Sequence, residues 1–343
     1  MKQRIEWIDN LKFIGIFCIY LGHFGKDAGA LYPFVFSFHV PLFFFISGML
    51  YSTPAGLPGL FSIWVKAFKS ILIPYFVFAA ISLAFFSLSY DWDAKQAAEK
   101  AYTVVYGLRA QVFAGSLWFL PCLFVVIIYH SILKYILKSD AIVLAASLIS
   151  FCVASKFAVL GTPTWIFNSD SAFCYLAYYS VGACLSSMLK KSKDFNFSGV
   201  NVKLSNTIVA ASFIFMVAVY FKGSAYFLGM VESFYLRVGA SFFLTLIMII
   251  PIVYASMSFR SDFAIKLGQS TLVLCGTEQL IKLITFRAIR VFDLNLNLTN
   301  PLNTLIYTSL CFVVAYFTTV RLYDYAMREI RVRRELKSDT SRS

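Results

Sequence analysis

The chain has 343 residues, 59% of them hydrophobic and 14% charged, and a net charge of +13. That balance excludes a disordered chain and an ordinary soluble domain. The cations lie in short loops between apolar runs, with no basic cluster and interleaved aromatics standing clear of them, so nucleic-acid binding is not expected.

A hydrocarbon core of about 30 Å takes about 20 apolar residues per helix. Ten runs qualify, roughly 9–26, 33–52, 66–89, 116–137, 140–157, 171–190, 205–222, 232–257, 269–290 and 301–324. The expected fold is therefore an all-α polytopic membrane protein of about ten transmembrane helices. The first run carries Asp9, Lys12 and His23. At 100° per residue they fall within about 60° of one another, on one stripe. Ionisable groups at bilayer depth face a protein interior or a watery cavity, so this helix reads as part of a site. Met1-Lys-Gln-Arg before it resembles a signal peptide, but no small-residue cleavage site follows, and the run reads as an uncleaved first span.

The second run starts at Pro33 and holds His39 and Ser47-Gly48, a small pair suited to close helix contact. The third opens with Lys66 and Lys69, three apart on one helical face, ahead of Pro74. Residues 91–115 form the one long loop and read as an amphipathic surface helix. Pro41, Pro74, Pro121 and Pro251 fall inside spans, where they would free carbonyls and kink helices around a cavity. His130 ends the fourth run beside Lys134 and reads as an interface residue. Glu232 and Arg237 flank or enter the eighth run, and Glu278 and Gln279 lie within the ninth, next to Lys282. A carboxylate at that depth needs a partner. The seven cysteines all sit in apolar runs, without a C-x-x-C pair, and read as small buried hydrophobes.

Twenty lysines and arginines collect on one side of these spans and nine on the other, Arg109 among the nine, which puts both termini in the cytoplasm. The chain then divides into a transmembrane domain, 1–325, and a basic cytoplasmic tail, 326–343, facing acidic headgroups of the membrane lipids.

In that orientation His23 lies roughly 16 Å further out than Lys12. His39, on the next antiparallel helix, also falls in the outer half. A neutral imidazole can take a proton from a hydroxyl while a second polar group orients it. The bland alternative is that each histidine caps a helix or bonds a backbone carbonyl, and the stripe partners of His23 weigh against it there. Lys12, Lys66 and Lys69 would form a positive cluster at the cytoplasmic mouth, able to hold a phosphate-bearing ligand. The same two lysines of the third helix also read as plain topology markers. There is no phosphate-binding loop, dinucleotide fingerprint or H-E-x-x-H, and no metal is expected.

The string Ile5-Glu-Trp-Ile-Asp9-Asn-Leu-Lys12 followed by Gly22-His23 resembles the start of the acyltransferase-3 family of integral membrane acyltransferases. Phe38-His39-Val-Pro41-Leu-Phe-Phe-Phe-Ile-Ser47-Gly48 is similar to its second-helix signature. Lys66-x-x-Lys69 before Ile73-Pro74-Tyr75 resembles its basic pair, Ser116-Leu-Trp118-Phe-Leu-Pro121 its fourth-helix start, and Leu267-Gly268-Gln-Ser270-Thr-Leu a late helix start. The likeness implies transfer of an acyl group, usually acetyl from acetyl-CoA, to a hydroxyl of a surface or exported polysaccharide or its lipid-linked precursor, in a bacterial inner membrane. It implies His23 as the essential histidine. Lysines stand at positions 12, 66 and 69 where relatives are richer in arginine, and Thr277-Glu278-Gln279 stands where many carry a histidine. Lysine keeps the charge and loses the bidentate fork.

The expected mechanism has acetyl-CoA docking on Lys12, Lys66 and Lys69, its thin arm threading outward, and His23 acting as general base helped by His39 or Glu278. Asp9, Ser47 and Trp118 are expected to orient these groups. The rival reading is a secondary transporter or glycan exporter; the lack of a repeat between the two halves speaks against it.

Overall fold

The computed structural model describes residues 5–24, 28, 31–109, 111–157, 160, 162–191, 207, 210, 211, 214, 233–258, 261–292 and 300–329. Among them there are helices and no strand. In chain order these are α1 (Glu6–Gly22), α2 (Leu31–Phe36), α3 (His39–Met49), α4 (Gly56–Ala67), α5 (Ile73–Ser89), α6 (Ala94–Tyr106), α7 (Phe119–Leu137), α8 (Asp140–Ser155), α9 (Ser169–Lys191), α10 (Phe234–Ser258), α11 (Asp262–Gln269), α12 (Thr271–Val291) and α13 (Pro301–Ala315).

Helices occupy nine of the ten expected runs, while the seventh, 205–222, falls almost wholly outside the described residues, as do Glu232 and the tail from residue 330. Among the described residues four helices are long and apolar enough to cross a membrane: Gly56–Ser89, Phe119–Leu137, Phe234–Met257 and Pro301–Glu329. One expected span is broken: the second divides at Ser37-Phe38 into α2 and α3. The ninth is α12, preceded by the separate short helix α11. The expected surface helix in the long loop is α6, opened by an Asp93–Gln96 capping box and closed by Gly107 in the left-handed region.

The prolines act differently from expectation. Pro41 and Pro121 sit in the first turns of α3 and α7, where a missing N–H costs no helical bond. Pro74 lies in the first turn of α5, but the helix runs on through it from Gly56, because the turn Phe68–Leu72 widens to π geometry just before it. That wider turn absorbs the carbonyl freed by the proline. Pro251 alone stands inside a helix, α10.

Helix α1 packs against α3, α10, α11 and α12, so it runs through the interior. Helices α3 and α9 cross closely because two glycines meet backbone: a Cβ on Gly48 would fall 2.0 Å from the Tyr179 carbonyl, and one on Gly182 would fall 2.1 Å from that of Phe45. The small residue at position 48 thus permits the close contact that its sequence suggests. Phe44 stacks on Tyr175 across this junction, centroids 4.3 Å apart. Gly268 of α11 makes the same kind of contact with the Asp9 carbonyl of α1.

Gly48→Ala is therefore expected to lower stability by about 1–3 kcal/mol through forced overpacking. Gly239→Ala in α10, where a Cβ meets nothing within 4 Å, is expected to be neutral or to stabilise by about 0.5–1 kcal/mol. Thermal melts of the solubilised variants check the contrast.

Candidate functional site

Helix α1 presents Lys12, Ile16, Ile19 and His23 on one stripe, and that stripe lines interior cavities. His23 caps the C-terminus of α1, with its side chain 19% exposed, turned toward a cavity of about 210 Å3. Its Nδ1 lies 2.7 and 2.6 Å from Oε1 and Oε2 of Glu278 on α12. Glu278 is fully buried, and its Oε1 also accepts from Lys282 Nζ at 2.8 Å, one helical turn on. Lys282 donates in addition to the Tyr20 carbonyl at 2.9 Å and lies 4.2 Å from the centre of the Phe24 ring. Tyr20 Oη donates to the Leu274 carbonyl, and Tyr307 Oη to that of Lys282. The carboxylate is thus bracketed by an imidazole and an ammonium in a shell that holds α1 to α12.

Chemically, Glu278 accepts the Nδ1 proton of His23, which leaves Nε2 with its lone pair. His39, at the start of α3, has the same polarity: its buried Nδ1 donates to the Val35 carbonyl at 2.6 Å, so Nε2 is the acceptor. Both imidazoles line the same cavity, together with Ser116, Trp118 and Arg109. Ser116 donates to the Cys275 carbonyl at 2.7 Å, tying the loop before α7 to α12. A Cβ on Gly115 would sit 4.0 Å from His23 Cε1, so this loop runs directly over the ring.

Two further cavities adjoin this one. The second, about 180 Å3, is lined by Lys12, Ile16 and Ser47 and shares Ile19, Phe43 and Phe119 with the first. The third, about 340 Å3, contains Lys66, Tyr51 and Tyr179 and shares Ser47, Leu50, Ser70, Ile71 and Leu123 with the second. The series runs from an ammonium, past a second ammonium and apolar walls, to two imidazoles. Both ends are polar, and the wall shared by the first two cavities, Ile19, Phe43 and Phe119, is apolar.

The expected site residues are brought together unevenly. His23, His39, Glu278, Trp118, Lys12, Ser47 and Lys66 all touch this series of cavities or a residue lining it. Asp9 lies just off it, buried, accepting from Lys12 Nζ at 3.3 Å. Lys69 is exposed and does not line the third cavity. The wide π turn begins between it and Lys66, so the three-residue spacing no longer stacks the two side chains. His130, read as an interface residue, is buried, in edge contact with the Tyr51 ring and tilted against that of Tyr179.

Arg109, a loop charge by sequence, lines the His23 cavity. Gly107 ends α6 at φ 62°, where a Cβ would meet Phe167 at 2.9 Å. Two residues on, the Arg109 N–H donates to Asn168 Oδ1 at 2.8 Å, and Asn168 Nδ2 donates back to the Gly107 carbonyl. The guanidinium lies 5.0 Å from the Trp118 ring centre. The only sequence signal for this fold-back is Gly107 at a helix end.

Helices long and apolar enough for a bilayer, enclosing a histidine–carboxylate pair at the end of a chain of cavities, define a multi-pass membrane protein built around an interior reaction chamber. A family model described as an acyltransferase domain matches residues 5–320, and the chain belongs to that family, acyltransferase-3. Membership makes it a membrane acyltransferase in general terms. No curated protein and no solved structure matches the chain.

Removing one partner of a buried ion pair strands the other. Glu278→Ala is expected to destabilise the protein by about 3–5 kcal/mol, because Lys282, 11% exposed, keeps its charge without a counter-ion. The double change Glu278→Met with Lys282→Met is expected to cost less than the single one. Melting temperatures of the three proteins form the test.

Proposed function

We propose that the protein is an O-acyltransferase of a bacterial inner membrane, moving an acetyl group from acetyl-CoA to a hydroxyl of a surface or exported polysaccharide or its lipid-linked precursor. The observation that carries this reading is the run of three adjoining cavities from Lys66, past Lys12, to His23. In this reading about ten helices cross the membrane, both termini are cytoplasmic, and the Lys66 end faces the cytosol.

Lys66 and Lys12 take the phosphates of the donor, and the apolar stretch at Ile19, Phe43 and Phe119 admits only the narrow arm. His23 Nε2 takes the proton of the acceptor hydroxyl as its oxygen attacks the thioester carbonyl. The C–S bond breaks, the thiolate leaves, and the proton on His23 passes to it. Glu278 keeps Nδ1 as the donor and carries the compensating charge while the ring is protonated. The carboxylate thereby takes over, at that position, the place of the histidine found in many relatives. Lys282 is the second cation partner of Glu278. His39, with Nε2 as acceptor, is placed to hold a second acceptor hydroxyl. Asp9 steadies Lys12, Ser47 shapes the joint between the second and third cavities, and Trp118 floors the first.

A transporter of similar size would need a path open in turn to both sides, with paired broken helices at the midplane. The chemistry here instead converges on one imidazole.

Three outcomes are expected with labelled acetyl-CoA and purified protein. His23→Ala lowers transfer by about 100-fold to 10,000-fold; unchanged transfer would remove the base. Lys12→Ala and Lys66→Ala each raise the KM for acetyl-CoA with kcat less affected, and Lys69→Ala leaves it near the wild-type value. Ile19→Trp, which fills the wall shared by two cavities, abolishes transfer while the donor still binds; transfer at the wild-type rate would place the donor's route elsewhere.

A further inference from the structure

The loop that covers His23 brings a cation into the chamber that the proposed transfer does not use. Arg109 is half-buried, lines the His23 cavity, and is fixed twice: its Nη1 donates to the Leu160 carbonyl at 2.6 Å, and its guanidinium carbon lies 5.0 Å from the centre of the Trp118 ring. Its own backbone N–H is anchored on Asn168. Among the described residues no carboxylate forms an ion pair with it. Asp170, two residues after Asn168, is already engaged: Oδ2 accepts from Thr164 N and Trp165 N at 2.7 and 3.2 Å, and Oδ1 from Ser171 N at 2.8 Å. Glu278 in the same chamber is shared between His23 and Lys282.

A guanidinium has five N–H donors in a rigid fork, and one is used here. The indole beneath and the carbonyl beside it hold the plane still, so little rotamer freedom is lost when a ligand arrives. A stationary, uncompensated fork in a cavity is matched by an oxyanion that accepts from two donors at once. The position of the donor gives no use for it: the anionic head of the donor belongs at the Lys66 end, two cavities away. The group that meets Arg109 comes with the acceptor.

We infer that the acceptor saccharide carries an anionic group close to the hydroxyl that is acylated, and that Arg109 selects it by a bidentate contact while Trp118 supports the sugar ring or the guanidinium plane. This rests on the acyltransferase reading for its choice of substrate, but it concerns recognition and is testable without turnover. Two chemistries supply such a group, the carboxylate of a uronic-acid residue and a phosphate ester on the sugar.

The test measures dissociation constants by calorimetry on the full chain in nanodiscs. The probes are a glucuronate-ended trisaccharide, its neutral glucose-ended counterpart and the glucose 6-phosphate-ended counterpart. The wild-type protein is expected to bind one of the anionic probes at least about tenfold tighter than the neutral one, each tenfold being about 1.4 kcal/mol; which of the two wins tells carboxylate from phosphate. Arg109→Gln brings that ratio close to one. Arg109→Lys, which keeps the charge, the fold and one donor point but not the fork, narrows it. A neutral probe bound as tightly as both anionic ones by the wild type, or a ratio unchanged in the variants, overturns the inference. His23→Ala, in contrast, keeps the binding preference and loses acetyl transfer. Preference without any transfer from acetyl-CoA would sink the proposed reaction and leave this recognition standing, and transfer without preference would do the reverse.

Discussion

The junction of α1 and α12 is organised around the buried negative charge of Glu278. Glu278 has no exposed surface, and a carboxylate in such a place persists only with partners. It has two, the His23 imidazole from α1 and the Lys282 ammonium one turn along its own helix. Lys282 in turn needs its remaining donors satisfied, and the Tyr20 carbonyl and the Phe24 ring provide for it from α1. The His23 and Tyr20 contacts join α1 to α12, so compensating this charge also fixes the attitude of the helix that lines the cavities. The orientation of the imidazole and the course of the passage leading to it are, in this sense, one packing solution.

Around that pair, backbone contacts do the positioning. Gly48 and Gly182 let α3 and α9 approach until carbonyls touch the space a methyl would fill, and Gly268 does the same for α11 against α1. Bare backbone surfaces of this kind have few alternative registers, because a slide in either direction meets a larger side chain. His39 and Ser47 are carried by α3, and Lys12 and His23 by α1. The glycine contacts fix α3 on α9 and α11 on α1, and so support the placing of these polar groups beside the buried ion pair.

The sequence displays some of this and hides the rest. Apolar run length marks the helices, and the 100° spacing of Asp9, Lys12 and His23 marks the stripe that lines the chamber, because both depend only on local periodicity. The isolation of Glu278 in an apolar run signals a partner, but His23 lies 255 positions away and nothing local names it. Prolines at 41 and 121 suggest kinks, whereas they stand at helix starts; helix breaks depend on where the preceding turn ends, as at Ser37-Phe38. Lys69 shares a face with Lys66 only if the helix between them is regular, and the π turn makes it irregular. Arg109 is the largest omission. Charge counting places it among loop cations, and only the fold-back pinned by Gly107 and Asn168 brings it over Trp118.

The widened turn at Phe68–Leu72 has a bearing on depth. The helix from Gly56 to Ser89 has 34 residues, about 50 Å at ~1.5 Å each, against a hydrocarbon slab of about 30 Å. Tilt alone would have to exceed the usual range to hide it all. Tyr90 and Trp92, stacked beside Phe86, form the amphipathic girdle that settles at a headgroup boundary. About 20 residues back from that girdle the chain reaches Ser70, within the turn. In the proposed orientation the stretch from Gly56 to Lys66 emerges from the acyl chains, and the lysine at the cytosolic end of the passage stands at a level dictated by lipid length. Bilayer thickness becomes a ruler for that lysine, drawing it inward in long-chain lipid and releasing it in short-chain lipid.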